Sequence, residues 1–420
     1  MKLRDILPEH LRSVSSTATG LSDPKLWLSD FFGGPTKSGA TVNTSTALGI
    51  PAFWRGVDLW SNTIGSLPLN VMNRTASGKE IARGTTLFNL LHDRPNEVMT
   101  SFQWRKMSQS HLCLYGNAYS VIEFDSQINP TALLPFHPND VTPVWSGGKV
   151  WYQIRADKQE FMVDSASMLH IKGMWLDGLR GLSLVSVLKE TLGLAIATQD
   201  SSATFYKKGS RLDGVITQIG QLADGGMKKL RKTWNDTFGN PTGNRVAFLD
   251  AGMDYKAISV DPEKSQMIEA RKFSVTDISR IVSIPPPLLY DLEKATFSNI
   301  TELIQSFEKF DLRPWLVNWE QELNWKLLKE EQRSTTFTKF NVDGLLRGDA
   351  KERAELHRTL FNIGAASPNE IRSKENMNSY KNGETKFRPL NMTPNDGTIP
   401  PEKTNGESKD KTADTSFIQQ

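Results

Sequence analysis

Apolar side chains recur at intervals of three and four residues in several stretches of the chain, which is the pattern of helices with one buried face. One such stretch begins at Pro51 and ends before Pro68, and its apolar positions are Phe53, Val57, Trp60 and Ile64. A second follows Thr100, a suitable N-cap residue, and Gly116 is placed to end it. The pattern therefore predicts two helices in the first third of the chain.

The longest one-sided pattern covers residues 298–328. At a rise of about 1.5 Å per residue, a helix of this length would span about 45 Å. Pro314 lies inside it and is predicted to kink or divide the helix, because an interior proline lacks the amide donor. Further on, Gly364 is placed to end a helix, and Ser367 with Glu370 predicts a capping box at the start of the next.

Between these helices, apolar and polar residues alternate with the period of two that is typical of strands. The alternation covers Ala118–Phe124, Val150–Ile154 and Glu160–Val163, and the paired glycines Gly147 and Gly148 predict a hairpin turn. Residues 67–172 are therefore predicted to form a mixed domain with a β-sheet.

Both ends of the chain have a different composition. Residues 1–45 are rich in Ser, Thr, Gly and Asp, apart from a short apolar patch at Leu26–Leu28 and Phe31–Phe32. After Glu375, polar residues, Gly and Pro dominate again. Such segments bury too little apolar surface to offset the entropy of ordering. We expect a loosely ordered arm at 1–45, a disordered tail from about 376 and a folded body between them.

Charge and cysteine content exclude several classes of protein. The 420 residues include 50 Lys and Arg against 47 Asp and Glu, and this balance argues against a protein that coats nucleic acid through an overall basic surface. A single cysteine excludes an intramolecular disulfide and a cysteine-based zinc cluster. No apolar run is long enough for a membrane helix, and the first residues do not form a secretion signal. We expect a protein made in a reducing cytoplasm, without a membrane partner.

Motifs that carry catalysis are missing from the sequence. The P-loop, HExxH and GxSxG patterns do not occur. Cys113, between two leucines of a predicted helix, is interpreted as a buried inert thiol, and His111 and His170 as histidines of the core. Three tryptophans could stack on nucleic-acid bases or pack between helices, and the lack of interleaved basic residues favours packing: Trp315, Trp319 and Trp325. We predict no catalytic residue, cofactor or metal site.

Several short stretches, taken in order, resemble the portal (head–tail connector) proteins of tailed double-stranded DNA bacteriophages, in the compact branch found in long-tailed phages and prophages. Each stretch is weak alone, but together they cover about 45–390. They are Phe53–Leu69, His92–Asn96, Leu114–Tyr119, Leu169–Gly173, Asp177–Ser183, Phe205–Gly209, Ile278–Pro286, Ala295–Ile300, Leu312–Leu316, Phe340–Asp349 and Ser367–Arg372.

The resemblance implies an α+β portal fold with a mixed α/β wing, long kinked stem helices, a small β-containing clip and a helical crown side. By order along the chain, it implies a flexible arm at 1–45, the wing at 46–296, a stem helix at 297–328, the clip at 329–346, a second stem helix at 347–361, a tunnel loop at 362–368, and the crown side with a disordered tail at 369–420. Where the family's Gly-Val-Pro-Pro stretch usually has a small residue, this chain has Ser283, followed by the proline run Pro285–Pro287, which we expect to be extended, with a local effect only.

The resemblance also implies a function. Portal proteins form a ring, typically of twelve subunits, at one vertex of the capsid in the virion, and double-stranded DNA passes through it during packaging and ejection without sequence recognition. The expected partners are further copies of the chain, the terminase large subunit that hydrolyses ATP, the major capsid protein, the scaffold and the head–tail adaptor. Assembly would take place in the cytoplasm of the bacterial host, and no enzyme activity is implied.

Six cations are candidates to face DNA in such a channel: Lys329, Arg333, Lys339, Arg347, Lys351 and Arg353. The alternative is that they are solvated surface charges, or pair between subunits with Glu330, Glu331, Asp349 and Glu352. Near-neutral charge suits a conduit, because each phosphate that a cation neutralises strengthens binding. The candidate tunnel loop comprises Asn362, Ile363, Gly364, Ala365, Ala366 and Ser367.

Two rival functions remain open from the sequence. A metal-dependent nuclease would need a cluster of carboxylates, and no convincing spacing is found. A monomeric adaptor or scaffold protein, bound to the capsid without forming a channel, would fit the absence of catalytic motifs equally well.

Overall fold

The computed structural model describes residues 36–76, 78–156, 159–175, 178–207, 214–218, 253–257, 267–292, 297–342, 350–375 and 377–387, with the single positions 226, 228 and 232. The chain divides into two compact units, residues 1–342 and 343–420. Each unit is described by itself.

The first unit combines helices with antiparallel sheets, which agrees with the expected α+β class. Its described helices are α1 (Thr44–Leu48), α2 (Pro51–Ser66), α3 (Thr86–Phe88), α4 (Ser101–Tyr115), α5 (Leu184–Val187), α6 (Lys189–Lys207), α7 (Met267–Val282), α8 (Phe297–Ser306) and α9 (Arg313–Leu327). Two π-helical segments, Asn89–Asp93 and Phe307–Leu312, follow α3 and α8. Short 3-10 segments lie at Pro138–Asp140, Pro286–Leu289 and Glu330–Ser334.

The described strands form four antiparallel sheets. They are β1 (Leu69–Thr75), β2 (Gly78–Ile81), β3 (Asn117–Phe124), β4 (Pro130–Phe136), β5 (Val141–Ser146), β6 (Lys149–Ala156), β7 (Gln159–Asp164), β8 (Met168–Lys172), β9 (Gly214–Gln218), β10 (Met253–Ala257) and β11 (Thr336–Phe340). The strand orders are β11-β1-β2, β4-β3-β8, β5-β6-β7 and β10-β9. The predicted hairpin is confirmed between β5 and β6, where Gly147 and Gly148 both take positive φ angles.

Strand β3 lies between two hydrophobic clusters, one on each face of its sheet. Ala118 and Ile122 belong to the larger cluster, which also contains the buried faces of α2, α4 and α9. Tyr119 and Val121 point the other way, into a smaller cluster shared with the sheet β5-β6-β7. Because successive side chains of a strand alternate between faces, β3 is buried on both sides and holds the two clusters together.

Two tryptophans from distant parts of the sequence meet in the larger cluster. Trp104 of α4 and Trp319 of α9 are fully buried, and their rings contact edge to face with centroids 5.5 Å apart. Both indoles are satisfied: Trp104 Nε1 donates to Ser120 Oγ at 3.1 Å, and Trp319 Nε1 donates to Gln109 Oε1 at 3.0 Å. Large aromatic side chains with paired donors are strong contributors to a core.

The predicted long helix at 298–328 is helical throughout but divided. A π-helical segment ends at Leu312, immediately before Arg313 and Pro314 begin α9. Proline is favourable at this position because the amides of the first helical turn have no intrahelical acceptor, so no hydrogen bond is lost. The inner face of α9, including Leu316 and Leu323, is buried in the larger cluster. The stem, clip and wing roles assigned to these segments stay predictions.

Helix ends agree with the sequence patterns. Thr100 and Gln103 form a capping box at the start of α4, and Gly116 ends that helix with φ of 75°. In the second unit, the predicted box is confirmed, since Ser367 Oγ accepts from the Glu370 amide and Glu370 accepts from the Ser367 amide at 2.7 Å. Gly364, with φ of 70°, follows the preceding helix as predicted.

Two expectations about the chain ends are wrong for the residues that can be described. Thr36, within the expected loose arm, is 4% exposed, and the Lys37 amide donates to Glu190 Oε2 at 3.1 Å. In the expected disordered tail, the Tyr380 carbonyl accepts a hydrogen bond from Asn369 Nδ2 at 3.0 Å and the Gly383 carbonyl accepts one from the Asn369 amide. Specific polar contacts therefore fix both segments although their composition is poor in apolar residues. Residues 1–35 and 388–420 lie outside the described residues.

The expected extended proline run is also corrected. Only Pro285 is extended, and Pro286–Leu289 form a 3-10 turn. Ser283, just before it, has φ of 54° and ends α7, with the Ile284 amide donating to the Ser279 carbonyl at 3.1 Å. This is a Schellman-type helix end, which needs the left-handed conformation that glycine adopts most easily.

The second unit contains a helix pair. Helices α10 (Ala350–Asn362) and α11 (Pro368–Lys374) are joined by a tight connection, in which the amides of Ala365 and Ala366 donate to the Leu360 carbonyl. Residues 377–387 follow α11 and include the buried Gly383.

Candidate functional site

Three stretches of the sequence that carry the family resemblance meet at one buried cluster, which we call the polar node and define as Gly116, Asn117, His170, Gly173 and Gly181. Asn117 Oδ1 accepts the Gly181 amide at 2.8 Å, and Asn117 Nδ2 donates to the Gly181 carbonyl at 3.1 Å. The Gly173 amide donates to the Gly116 carbonyl at 2.8 Å. The node thus joins the end of α4, the end of β8 and the loop before α5.

His170 completes the hydrogen bonding of the node. Its Nε2 lies 3.0 Å from Asn117 Oδ1 and its Nδ1 lies 3.1 Å from the Tyr152 hydroxyl. Because the amide oxygen can only accept, Nε2 carries the proton and Nδ1 accepts from tyrosine. Burial is the main cause that holds the pKa of His170 well below its ordinary value, and nearby cations lower it further. His170 is therefore a neutral core histidine, as the sequence analysis predicted.

The glycines of the node allow main chains to touch. A Cβ atom on Gly181 would lie 1.9 Å from the Gly116 carbonyl oxygen, and one on Gly116 would lie 2.4 Å from the Leu182 carbonyl carbon. No side chain fits at such distances. The sequence analysis assigned Gly116 to the end of a helix and missed the packing of Gly116 against Gly181, because the contact joins positions about 65 residues apart.

The candidate cations of the first unit all have partners within the chain. Lys329 Nζ donates to the Gln127 carbonyl at 2.8 Å, and Lys339 Nζ lies 3.0 Å from Glu320 Oε2. The Arg333 guanidinium stacks 4.1 Å above the Trp325 ring and donates to the Trp325 carbonyl. These partners differ from the acidic residues proposed from the sequence. The amide of Phe340 also donates to Glu320, so this carboxylate links α9 to β11.

The other candidate cations belong to the second unit. Arg353 Nε lies 3.3 Å from Glu375 Oε1, which is also 2.9 Å from His357 Nε2. The hydrogen bond from His357 is the main cause that lowers the pKa of Glu375, and Arg353 contributes. Lys351 lies in α10, and Arg347 lies outside the described residues. The contact of these six cations with DNA stays a prediction.

The candidate tunnel loop is the connection between α10 and α11. Asn362 ends α10, and Ile363 is 56% exposed. Gly364 and Ala365 follow, whereas Ala366 and Ser367 are buried. Only the last two residues of this short loop are therefore buried.

The predictions for the aromatic residues and the cysteine can be compared with the structure directly. Trp319 packs in the core, and Trp315 contacts Trp60 with ring centroids 6.2 Å apart, which confirms helix packing for both. Trp325 is 62% exposed and carries Arg333 on its ring. Cys113 is buried, and burial raises the pKa of its thiol to about 12, as expected for an inert residue.

The described residues lack two kinds of feature. Among them, no group of three or more His, Cys, Asp or Glu side chains is placed to hold a metal ion. Within the same part of the chain, no helix combines the length and the apolar character that crossing a membrane requires.

Comparison with known proteins places these features in a family. The model of the family described as "Phage portal protein" matches residues 51–376. The chain is 29% identical over 360 residues to the portal protein of Enterobacteria phage HK97, covering 84% of this chain and 85% of that protein. It is 32% identical over 404 residues to the probable portal protein of Streptomyces phage phiC31, covering 91% and 86%.

Solved structures agree with the fold. An HK97 family phage portal protein from Corynebacterium diphtheriae superposes with a TM-score of 0.56 at 18% identity, covering 73% of this chain and 97% of that one. A chain from the neck of a native gene transfer agent particle gives a TM-score of 0.55 at 19% identity, covering 80% and 93%. The family match and the two relatives confirm the resemblance read from the sequence. This chain belongs to the phage portal protein family.

Proposed function

We propose that the chain forms a ring at one vertex of a phage capsid and conducts double-stranded DNA during packaging and ejection. The observation that carries this proposal is the family match, which extends from α2 through both units to residue 376. The relatives are matched over most of their length, so the resemblance is to a whole protein and not to one module.

We propose twelve subunits for the ring. Support comes from the structurally similar gene transfer agent neck, which was computed with C12 symmetry. A cyclic ring uses two different faces of each subunit, so that each copy contacts two neighbours through distinct surfaces. Exposed aromatic side chains of the first unit, such as Trp54 and Tyr290, are the kind of residue that such interfaces use.

The proposed partners follow from the same function. In the host cytoplasm, the ring would take part in capsid assembly with scaffold and major capsid protein, and would then dock the terminase large subunit. In the virion, the head–tail adaptor would replace terminase. The proposal assigns no catalytic step to this chain, since ATP hydrolysis belongs to the motor.

The candidate cations have a defined place in this proposal. Lys329, Arg333 and Lys339 would line or approach the DNA path, and their internal partners would moderate the attraction to phosphate. Weak contacts suit a conduit, because each neutralised phosphate contributes to binding and sliding DNA must be released. Reversing Lys329 and Lys339 to Glu in an infectious phage would reduce packaged DNA, whereas the reversal of Lys149 at the β5–β6 turn is the matched control.

We also propose a second position for the stem and clip. The segments assigned to the stem and clip are packed inside the first unit. The inner face of α9 lies in the larger hydrophobic cluster, and β11 pairs with β1. Helices α6 and α7 pack against each other, and β9 and β10, which pair antiparallel, lie between them in sequence. A helix, a small β element and a second helix follow in the order expected for stem, clip and stem.

Terminase binding distinguishes the two positions. A short hydrophilic insertion at 330–334 would abolish capture of the terminase large subunit if the clip lies there. The same insertion between β9 and β10 would abolish it if the clip belongs to that pair. An insertion in the turn at Gly147 and Gly148 is the control that leaves capture intact.

The mass of the purified full-length protein tests the proposed function. Twelve copies of a 47.1 kDa chain have a mass of about 565 kDa, which light scattering distinguishes from a monomer. A monomer that stays a monomer in the presence of scaffold protein would favour the adaptor function. Metal-dependent cleavage of DNA that is lost on mutation of Asp or Glu would favour the nuclease.

A further inference from the structure

A groove on the first unit lies between the end of β8 and helix α9. Its volume is about 560 Å³. Its lining includes Gly173, Met174 and Trp175 from the end of β8 and the residues after it, with Trp315 and Val317 from α9. Asn318 Nδ2 donates to the Lys172 carbonyl at 2.7 Å, which ties α9 to β8 beneath the groove. The groove is therefore formed in advance by packed elements.

The lining combines exposed apolar side chains with positive charge. Met174 is 71% exposed, Trp175 is 55% exposed and Val317 is 38% exposed. Lys309 and Arg313 supply two cations, and the described lining residues include no carboxylate. Exposed apolar surface of this kind marks a docking site, and the cations favour an occupant that carries a negative charge.

The arm of the same chain contains a segment with this chemistry. Residues 26–32 read Leu-Trp-Leu-Ser-Asp-Phe-Phe, which places five apolar side chains around the single carboxylate of Asp30. The rest of residues 1–35 has no comparable concentration of aromatic residues. The arm is tethered at Thr36, whose side chain lies against the backbone of Gly193 in α6.

The tether brings the segment within reach of the groove. Trp175 of the groove pairs with Gly181 through a β-bridge, and α5 begins at Leu184, shortly before α6. The helical stretch from Leu184 to Gly193 spans about 14 Å at 1.5 Å per residue. Five residues separate Phe31 from Thr36 and nine separate Trp27 from Thr36, and extended chains of these lengths reach about 17 Å and about 30 Å.

We propose that residues 26–32 dock in this groove of their own chain. The aromatic side chains of Trp27 and Phe31 cover Met174 and Trp175, and Asp30 pairs with Lys309 and Arg313. Tethering makes this docking intramolecular, so modest contacts suffice to hold the segment. The inference does not depend on the proposed DNA conduit, since it concerns how the arm of a single subunit is held.

Cysteine crosslinking of the full-length protein tests the proposal. The native Cys113 is buried, with the pKa of its thiol raised to about 12, so it does not compete at neutral pH. The pair Phe31→Cys with Val317→Cys, treated with a short bismaleimide, should give about tenfold more intramolecular crosslink than the control pair Phe31→Cys with Val98→Cys. Val98 is 85% exposed and lies before the start of α4, whereas the groove lies beyond its end.

Charge reversal supplies the second measurement. In the Phe31→Cys, Val317→Cys protein, Asp30→Lys should lower the crosslink yield, and adding Lys309→Glu with Arg313→Glu should restore it. Equal yields for the groove pair and the control pair overturn the proposal. A crosslinked product of twice the chain mass also overturns it, since that result assigns the groove to the arm of a second copy.

Discussion

The polar node and the candidate DNA-facing cations differ in the burial and the pairing of their polar side chains. At the node, Asn117 and His170 are buried, and their side-chain polar atoms have hydrogen-bond partners. Among the cations, the Lys339 side chain is 56% exposed and its main partner is one carboxylate. A buried polar group that loses its partner costs more than an exposed ion pair contributes.

This difference separates the residues that stabilise the fold from those to which we assign contact with DNA. Residues at the node belong to the stretches that carry the family resemblance, and they hold α4, β8 and the loop before α5 together. They stabilise the subunit and leave no reactive group available. In our proposal, the surface charges act on DNA only through their summed field.

Replacement of Gly181 by Ala should have the largest effect. The new Cβ would meet the Gly116 carbonyl at 1.9 Å, so the two backbones must separate, which costs about 3 kcal/mol or more of unfolding free energy. Gly84→Ala is the matched control, because a Cβ there meets no atom within 4 Å. Urea unfolding measures both, and equal stabilities would show that the close approach is not essential.

Removal of the Asn117 side chain compares the two regions directly. Asn117→Ala leaves the Gly181 amide and one nitrogen of His170 without partners, so we expect a loss of about 2–3 kcal/mol. Lys339→Ala should cost about 1 kcal/mol or less, as exposed ion pairs do. Chemical denaturation of the two variants side by side checks this order, which the reverse result would refute.

Acid should destabilise the subunit through its half-buried and buried imidazoles. Burial and the neighbouring His137 lower the pKa of His111 from 6.5 to about 4, so the folded protein binds its proton at lower pH than the unfolded chain does. The free energy of unfolding should therefore fall as the pH drops from 6.5 towards 4. His111→Gln should make this slope shallower, whereas Tyr115→Phe, which changes the neighbouring ring, should keep it.

Substitution of Ser283 by Gly should have the smallest effect, with the opposite sign. Ser283 has φ of 54°, and relief of this conformation should stabilise the protein by about 0.5–1 kcal/mol. Ser283→Ala is the control, since alanine keeps the left-handed strain. Thermal unfolding compares the three proteins, and a destabilised Ser283→Gly variant would contradict the account of this helix end.

Local structure could be predicted well from the sequence. The capping residues Thr100 and Ser367 and the turn glycines Gly147 and Gly148 act on neighbours a few residues away, so their patterns are readable without tertiary information. The division of the long helix before Pro314 was predicted for the same reason.

Contacts between distant segments could not be predicted in this way. Nothing near Gly181 in the sequence indicates that the Gly116 backbone touches it, and nothing near Arg333 indicates the stack on Trp325 from the preceding helix. The order seen for Thr36 also depends on a distant partner, the backbone of Gly193. The prediction from composition therefore placed the end of the loose arm at residue 45, although the chain is already buried at Thr36.

A cryo-EM reconstruction of the purified full-length protein, with double-stranded DNA added, would test the central claim most directly. The account predicts a closed ring with an axial channel, in which every subunit keeps the polar node buried and intact. A ring of twelve copies would have a mass of about 565 kDa. Particles that remain single subunits with scaffold present, or rings without an axial opening, would contradict it.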